Sequence, residues 1–274
     1  MHAEVSEEPA GIVAEGPATD AHAAQILRLA ASAARHQPIL TVRPNQYVFI
    51  RQLMAYASIG GPESRPKVTI HHGLLETWMS ASGTRKGLSR FQPRSSPLPG
   101  HPTGPWTTTA GSGDHTPAYI PSLPASADAM LSYLYQHMTG SNPPDQQAFI
   151  AAGDLIRDKY VPPAAMAAVF SAVAKIPGVA VVPGAVTVNG TRGIAVQRIF
   201  QGDSYQLIFD LRTHAFIGER QIVVAGTRSL LRPGTLMYAT TLLNVAIVDH
   251  AGQQPGPLDA VRSRQTTASP AAGR

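Results

Sequence analysis

The chain has 274 residues, a mass of 28.9 kDa and a formal net charge of +5. It contains no cysteine, which excludes disulfides, thiolate metal sites and a cysteine nucleophile. Basic residues never form a run of five or more, and no stretch of 18 apolar residues occurs, so we predict no specific nucleic-acid binding and no membrane span in this chain.

Both ends of the chain lack hydrophobic periodicity. Residues 1–18 are predicted as a disordered leader and residues 251–274 as a disordered tail. Residues 19–250 are predicted as a single α+β domain, because one core of this size is common in globular proteins. Within it, residues 92–124 are rich in proline and glycine and are predicted as a long loop.

The first predicted helix begins after Asp20, a good N-cap residue, and stops near Gln37-Pro38. A strand is predicted over Gln46–Ala55, where apolar residues alternate loosely between two sides. Lys67–Met79 is rich in β-branched and aromatic residues and is predicted as a second strand, which a Ser82-Gly83 turn joins to a third at residues 87–91.

Three consecutive amphipathic helices are predicted next. They cover Ala125–Met138, Gln146–Tyr160 and a segment that starts at Pro162-Pro163 and ends before Pro177-Gly178. Proline at a helix start and glycine just beyond a helix end are favoured positions for these residues.

After Gly178 the hydrophobic period changes from that of a helix to two, as in strands. The predicted strands are Val179–Val182, Ala185–Val188, Ile194–Phe200, Gln206–Phe209, Phe216–Val224 and Leu242–Val248, with turns at Asn189-Gly190 and Gly202-Asp203. Strands, then helices, then strands favour an α+β fold: a curved antiparallel sheet, or open half-barrel, with about four helices packed on one face.

Three stretches of the chain carry a family resemblance: Asn45–Phe49 with Glu76–Ser80, Ala167–Val179, and Leu207–Asp210 through Gly218-Glu219. They resemble the actinomycete family of uncharacterised envelope proteins encoded beside extracytoplasmic-function sigma factors. In that family a transmembrane helix typically precedes an exported domain, and no such helix stands before Ala23 here. The resemblance therefore implies the extracytoplasmic face of the cell envelope if an anchor was trimmed, and otherwise the cytoplasm.

The order of elements is also similar to that of lipoprotein-carrier and sigma-regulatory sensor domains, in which a curved sheet wraps an apolar groove. By this analogy of fold, we predict that a ligand groove is lined by six aromatic residues, namely Tyr47, Phe49, Trp78, Phe170, Phe209 and Phe216. Ordinary core packing is the alternative role for all six. Tyr47 and Trp78 are expected to lie close together on the concave or core side of the sheet.

The histidines offer a weak candidate for a metal site. His71, His72, His101 and His115 are grouped near the predicted loop, but neighbouring residues of a strand point to opposite faces. We therefore predict no metal site and no cofactor.

Candidate catalytic groups are also weak. Ser112, Asp114 and His115 stand too close together in a glycine-rich segment to hold the geometry of a hydrolase triad, and we predict no catalytic residue. Among the acids, Asp154 and Asp158 lie four residues apart on a helix and need compensation from Arg157, Lys159 or another partner. Asp210 is predicted to shape the turn toward Thr213 by accepting hydrogen bonds from backbone amides, and Glu219 is expected to be paired at the surface.

The sequence thus favours a non-enzymatic envelope sensor or regulatory binding domain that holds a lipid or a peptide, within a sigma-factor regulatory system. The alternative is a small hydrolase or transferase that uses the proline-rich loop as a lid. A binding domain should show an apolar groove, whereas an enzyme should show a titratable cluster in its largest pocket.

Overall fold

The computed structural model describes residues 19–62, 65–94, 106–109, 116–137, 139–224 and 231–256. Within these residues the fold is α+β, with one curved, open antiparallel sheet and four helices packed on one of its faces. The predicted fold class is confirmed. The predicted leader, residues 1–18, lies outside the described residues.

The four helices agree with those predicted from capping and periodicity. They are α1 (Ala21–Arg35), α2 (Ala127–Gln136), α3 (Pro144–Asp158) and α4 (Pro163–Val173). The Asp20 side chain caps α1 by accepting a 3.0 Å hydrogen bond from the backbone N–H of His22. Helices α3 and α4 begin with proline, which lacks the N–H that would go unpaired in the first turn.

Within the described residues, nine strands form the sheet. They are β1 (Tyr47–Gly60), β2 (Lys67–Ser80), β3 (Leu88–Pro93), β4 (Trp106–Thr109), β5 (Ala180–Val186), β6 (Arg192–Phe200), β7 (Asp203–Asp210), β8 (Phe216–Val223) and β9 (Leu236–Val248). Their order is β4-β3-β2-β1-β9-β8-β7-β6-β5, and the last strand therefore lies between the two halves of the sheet. The chain segments before and after the helices are joined into one layer by this β1–β9 pairing.

Three details of the strands differ from the prediction. The segments 179–182 and 185–188 are not two strands but parts of β5, because a bulge between Val182 and Ala185 accommodates Pro183-Gly184. Strand β4 pairs with β3 inside the segment predicted as a loop, and β9 begins at Leu236 rather than Leu242.

The beginning of the predicted disordered tail packs onto the sheet. Residues 249–256, here called the C-terminal strap, cover the face opposite the helices, where the backbone oxygen of Gln253 accepts a 2.6 Å hydrogen bond from Trp78 Nε1. The predicted tail therefore starts too early, and its remainder, residues 257–274, lies outside the described residues.

The main core lies between the helices and strands β5–β8. Leu27 of α1, Phe149 of α3 and Phe170 of α4 pack there with Leu207 and Phe209 of β7, and each of these side chains is at most 2% exposed. Burying an aliphatic or aromatic side chain of this size contributes roughly 1.5–3 kcal/mol. This packing fixes α3 over the sheet. Among the described residues, no helix has the combination of length and hydropathy that crossing a lipid bilayer requires.

Candidate functional site

A cavity in the described part of the molecule opens between α2, α3 and the end of β2. It has a volume of about 510 Å³, within the range of small-molecule and peptide sites. We call it the α3 cleft, and it is lined by Thr77, Met79, Thr116, Ala118, Tyr133, Leu134, His137, Thr139, Gln147, Ala151, Asp154, Leu155, Asp158 and Lys159. Its wall is mixed, since it combines apolar side chains with titratable ones from the α2 and α3 sides.

Helix α3 supplies one whole side of the cleft. Its cleft-lining residues Gln147, Ala151, Asp154, Leu155 and Asp158 recur at the three- and four-residue spacing that places side chains on one helical face. Steric fit determines how close α3 comes to the sheet on its other side. A Cβ at Gly153 would stand 3.1 Å from Glu219 Oε2 and 3.5 Å from Leu207 Cδ2, so glycine permits this approach.

Gln147 of α3 supplies a polar group to the wall of the α3 cleft. The residue is only 5% exposed, and its Oε1 accepts a 2.9 Å hydrogen bond from Asn142 Nδ2. Its Nε2 makes no hydrogen bond to any residue that the structure describes, yet it is not one of the enclosed atoms without a partner. Nε2 is therefore accessible from the cleft, where an acceptor of a ligand can replace water.

A second, smaller cavity of about 190 Å³ lies on the other side of α3, against β7, β8 and β9. Asp154 lines both cavities. The smaller cavity is lined by Asp154, Arg157 and Glu219. Together with Asp158, which lines the α3 cleft, these residues form what we call the Arg157 cluster. Arg157 donates to Glu219 Oε1 at 2.7 Å and to Asp154 Oδ1 at 2.7 Å, and it binds both oxygens of Asp158 at 2.9 and 2.8 Å.

Burial affects the protonation of Glu219 in this cluster. It raises the pKa of the Glu219 carboxyl, and Asp158 and Asp154 add to the rise while Arg157 opposes it. Burial also raises the pKa of the Tyr238 phenol, whose ring lies 5.9 Å from the Arg157 guanidinium carbon. Because Arg157 is bound to all three carboxylates, the cluster is a closed ion-pair network.

The prediction for Asp154 and Asp158 is therefore confirmed in one respect and corrected in another. Arg157 does compensate the two aspartates, as their spacing requires. Glu219, expected to be paired at the surface, is instead 8% exposed and completes the network from β8.

The beginning of α3 is held by another buried polar group of residues. Tyr135 donates a 2.6 Å hydrogen bond to Asp145 Oδ1, and Arg198 Nη1 donates one of 2.8 Å to Gln146 Oε1. Burial and the contact with Asp145 raise the pKa of Tyr135. Because Arg198 also binds the backbone oxygen of Pro177 at 3.0 Å, this contact ties α3 to the loop that precedes β5.

The six aromatic residues predicted to line one groove lie in two places. Phe170, Phe209 and Phe216 belong to the core on the helix-covered face, and the Phe170 and Phe209 rings meet edge to face at 5.2 Å. Tyr47, Phe49 and Trp78 form a separate buried cluster on the opposite face, because their neighbours Val48, Ile50 and Met79 point toward the helices. None of the six lines the α3 cleft.

The cluster on the opposite face is covered by cations and by the C-terminal strap. Tyr47 and Trp78 do lie in one cluster, as expected, but not on the helix-covered side. The guanidinium carbons of Arg51, Arg85 and Arg90 stand 5.4, 5.0 and 5.2 Å from the ring centroids of Phe49, Tyr47 and Trp78, respectively. Arg51 also binds Glu76 at 2.7 Å and the Gln254 side chain.

The histidine pair behaves as strand geometry predicts. His71 stacks on Tyr56, with ring centroids 4.9 Å apart, and its Nε2 lies 2.9 Å from Ser58 Oγ. His72, the next residue of β2, points to the other face. Nowhere in the described ranges do three or more potential metal ligands among His, Cys, Asp and Glu converge. His101 and the Ser112, Asp114 and His115 triad candidates lie outside the described residues.

The turn prediction for Asp210 is confirmed. Its Oδ1 accepts hydrogen bonds from the backbone N–H of Arg212 at 3.0 Å and of Thr213 at 2.7 Å. Burial would raise the pKa of Asp210, but these bonds and the one from the Thr213 hydroxyl together lower it. Asp210 therefore has a structural role in the β7–β8 turn.

Sequence reasoning missed the residues that shape the α3 cleft. The spacing of Gln147, Ala151 and Leu155 is that of an ordinary amphipathic helix face. Nothing in this pattern distinguishes residues that line a cleft from residues that pack in a core. The only available signal is the mixture of Gln147, Asp154 and Asp158 with apolar residues on one face, since a core-facing stripe is usually apolar throughout.

Comparison of the sequence with models of known protein families and with curated proteins finds no match. Residue roles therefore rest on the geometry of the two cavities and on their charges.

Proposed function

We propose that this chain is a non-enzymatic binding domain of the sensor or regulatory type, whose ligand occupies the α3 cleft. The observation that carries the proposal is the unpaired Gln147 Nε2 donor in a cavity of about 510 Å³. A pocket with an apolar floor and a few oriented polar groups is the usual form of a ligand site.

The charges of the site favour binding over catalysis. A general acid or base must be available to exchange a proton with a substrate. In the Arg157 cluster each carboxylate is instead bound to the same guanidinium, at distances of 2.7–2.9 Å. Carboxylates held in this way are acceptors for cationic groups, whereas a small hydrolase or transferase needs a carboxyl group that exchanges a proton with its substrate.

The cellular role follows from the family resemblance alone. If the chain acts beside a sigma factor at the cell envelope, ligand occupancy of the α3 cleft would be the event it senses. The cleft replaces the six-aromatic groove as the proposed site, because the two aromatic clusters lie on opposite faces of the sheet.

The proposal is tested by filling the cleft. Ala151 lines the cleft and is partly buried, so Ala151→Phe would place a ring in the cavity. Ala164→Phe is the matched control, because Ala164 is exposed on α4 and does not line the cleft.

Native mass spectrometry of protein purified from its source cells is the measurement. The wild type and Ala164→Phe should carry a bound mass that denaturation releases, and Ala151→Phe should lack it. Retention of the same mass by Ala151→Phe, or no bound mass in any of the three proteins, would contradict the proposal.

A further inference from the structure

The dimensions of the α3 cleft match those of an extended chain. Its α3 side runs from Gln147 to Asp158, which is eleven residues of helix or about 16 Å at 1.5 Å per residue. A peptide in extended conformation rises about 3.3 Å per residue, so about five residues would fill this length.

One end of the cleft offers a hydrogen-bond donor to a ligand acceptor. Gln147 is buried, its Oε1 is already bound to Asn142, and its Nε2 has no acceptor within the described ranges. A peptide carbonyl is such an acceptor. The acidic head of an acyl chain would also serve at this end, so the other end of the cleft decides between the two.

The other end is acidic. Asp154 and Asp158 line the cleft there, and together with Glu219 they share the single guanidinium of Arg157. Asp154 Oδ2 takes part in none of the hydrogen bonds of the cluster. The cation next to it, Lys159, is directed at the backbone oxygen of Pro117, to which its Nζ donates at 2.8 Å.

An acyl tail laid along the cleft would place methylene groups against these carboxylates and remove water from them without compensation. A lysine or arginine side chain would instead place a positive charge beside Asp154 Oδ2, which the hydrogen bonds of the cluster leave open. Between the two ends, Met79, Leu134 and Leu155 offer apolar contacts to the intervening side chains.

We infer that the ligand of the α3 cleft is an extended peptide segment of about five residues. It has an apolar centre, a backbone carbonyl bound by Gln147, and a basic residue at the end near Asp154 and Asp158. This inference rests on the proposed function, since it names the ligand class of the same site.

The test is a competition between defined probes. The probes are two mixtures of pentapeptides whose N-termini are acetylated and whose C-termini are amidated. The first mixture has lysine at both end positions and the second has glutamate there, and the central positions of both are drawn equally from alanine, valine, leucine and phenylalanine. Dodecanoate, in equal amount, is the acyl probe. The full chain is incubated with all three, separated by rapid gel filtration, and the retained species are quantified by mass spectrometry.

Lysine peptides should be retained about fivefold over glutamate peptides, as one half-exposed ion pair allows. Asp154→Asn should bring this ratio close to one, whereas Asp128→Asn, which changes an acid on α2 that is 84% exposed, should leave it unchanged. Gln147→Leu should reduce retention of both peptide classes several-fold, and Gln25→Leu on the exposed side of α1 should not.

Failure of the inference is distinguishable from failure of the proposed function. Retention of dodecanoate in preference to both mixtures, with loss in Ala151→Phe, would overturn the peptide assignment and keep the cleft as the site. If glutamate peptides are retained as well as lysine peptides or better, the assignment of a basic ligand residue to the end near Asp154 and Asp158 is overturned. If none of the probes is retained, the peptide assignment is overturned. The proposed function is then decided only by whether the protein purified from its source cells carries a bound mass.

Discussion

The two sides of α3 differ in how their polar groups are satisfied. On the β8 side, Arg157 lines a cavity of about 190 Å³ and binds the carboxylates of Asp154, Asp158 and Glu219. On the β2 side, a cavity of about 510 Å³ is lined by the Gln147 amide, whose Nε2 has no acceptor among the described residues. A network of ion pairs fixes a helix in place, whereas an accessible donor without a protein partner is available to a ligand. We therefore assign anchoring to the first side and binding to the second.

The largest expected effect comes from breaking the anchoring side. Arg157→Ala would leave Glu219, whose side chain is 11% exposed, without its cation, and removing one partner of a buried ion pair costs about 3 kcal/mol or more. The free energy of unfolding, measured by urea denaturation, should fall by about that amount. Arg28→Ala, at an exposed position of α1, should change it by less than ~0.5 kcal/mol.

An Arg157→Ala protein as stable as the wild type would show that the Arg157 cluster does not anchor α3. The distinction between the two sides of the helix would then be lost, because neither side would have a demonstrated structural role.

A smaller effect is expected from the pH dependence of the same side. The pKa of Glu219 is raised in the folded protein above its ordinary value of 4.5, so its stabilising contribution is complete below that pH and is lost as the pH rises. Glu219→Gln keeps the shape of the side chain and removes this titration. Its free energy of unfolding should increase relative to that of the wild type as the pH is raised from about 4.5.

Denaturation of both proteins across this pH range is the measurement. A difference between them that stays constant with pH would mean that Glu219 titrates alike in the folded and unfolded chains, and burial would then not control its charge.

The elements of this fold were largely predictable from local signals. Asp20 at the start of α1, the Pro162-Pro163 pair that opens α4, and the glycine turns between strands act over a few residues. The Asp210 turn was predictable for the same reason, since its hydrogen bonds reach only two and three residues along the chain.

The site was not predictable because it depends on long-range placement. Both faces of β1 are buried near its start, so alternation gives no means of assigning Phe49 or Ile50 to the helix-covered face. Arg157 and Glu219 are 62 residues apart, and only the packing of α3 on β8 brings them together. The C-terminal strap was missed because a polar segment without periodicity resembles disorder until its partner Trp78 is placed.

The most direct test of the binding side uses the absence of cysteine from the chain. Ala151→Cys introduces a single thiol in the α3 cleft, and Ala164→Cys introduces one at an exposed position of α4. The rate of modification by a small thiol reagent is measured with and without the lysine peptide mixture or a low-molecular-mass extract of the source cells. We predict that at least one of these slows modification of the A151C thiol several-fold and leaves the A164C thiol unchanged. A ligand that raises the melting temperature without protecting the A151C thiol would bind elsewhere and contradict the assignment.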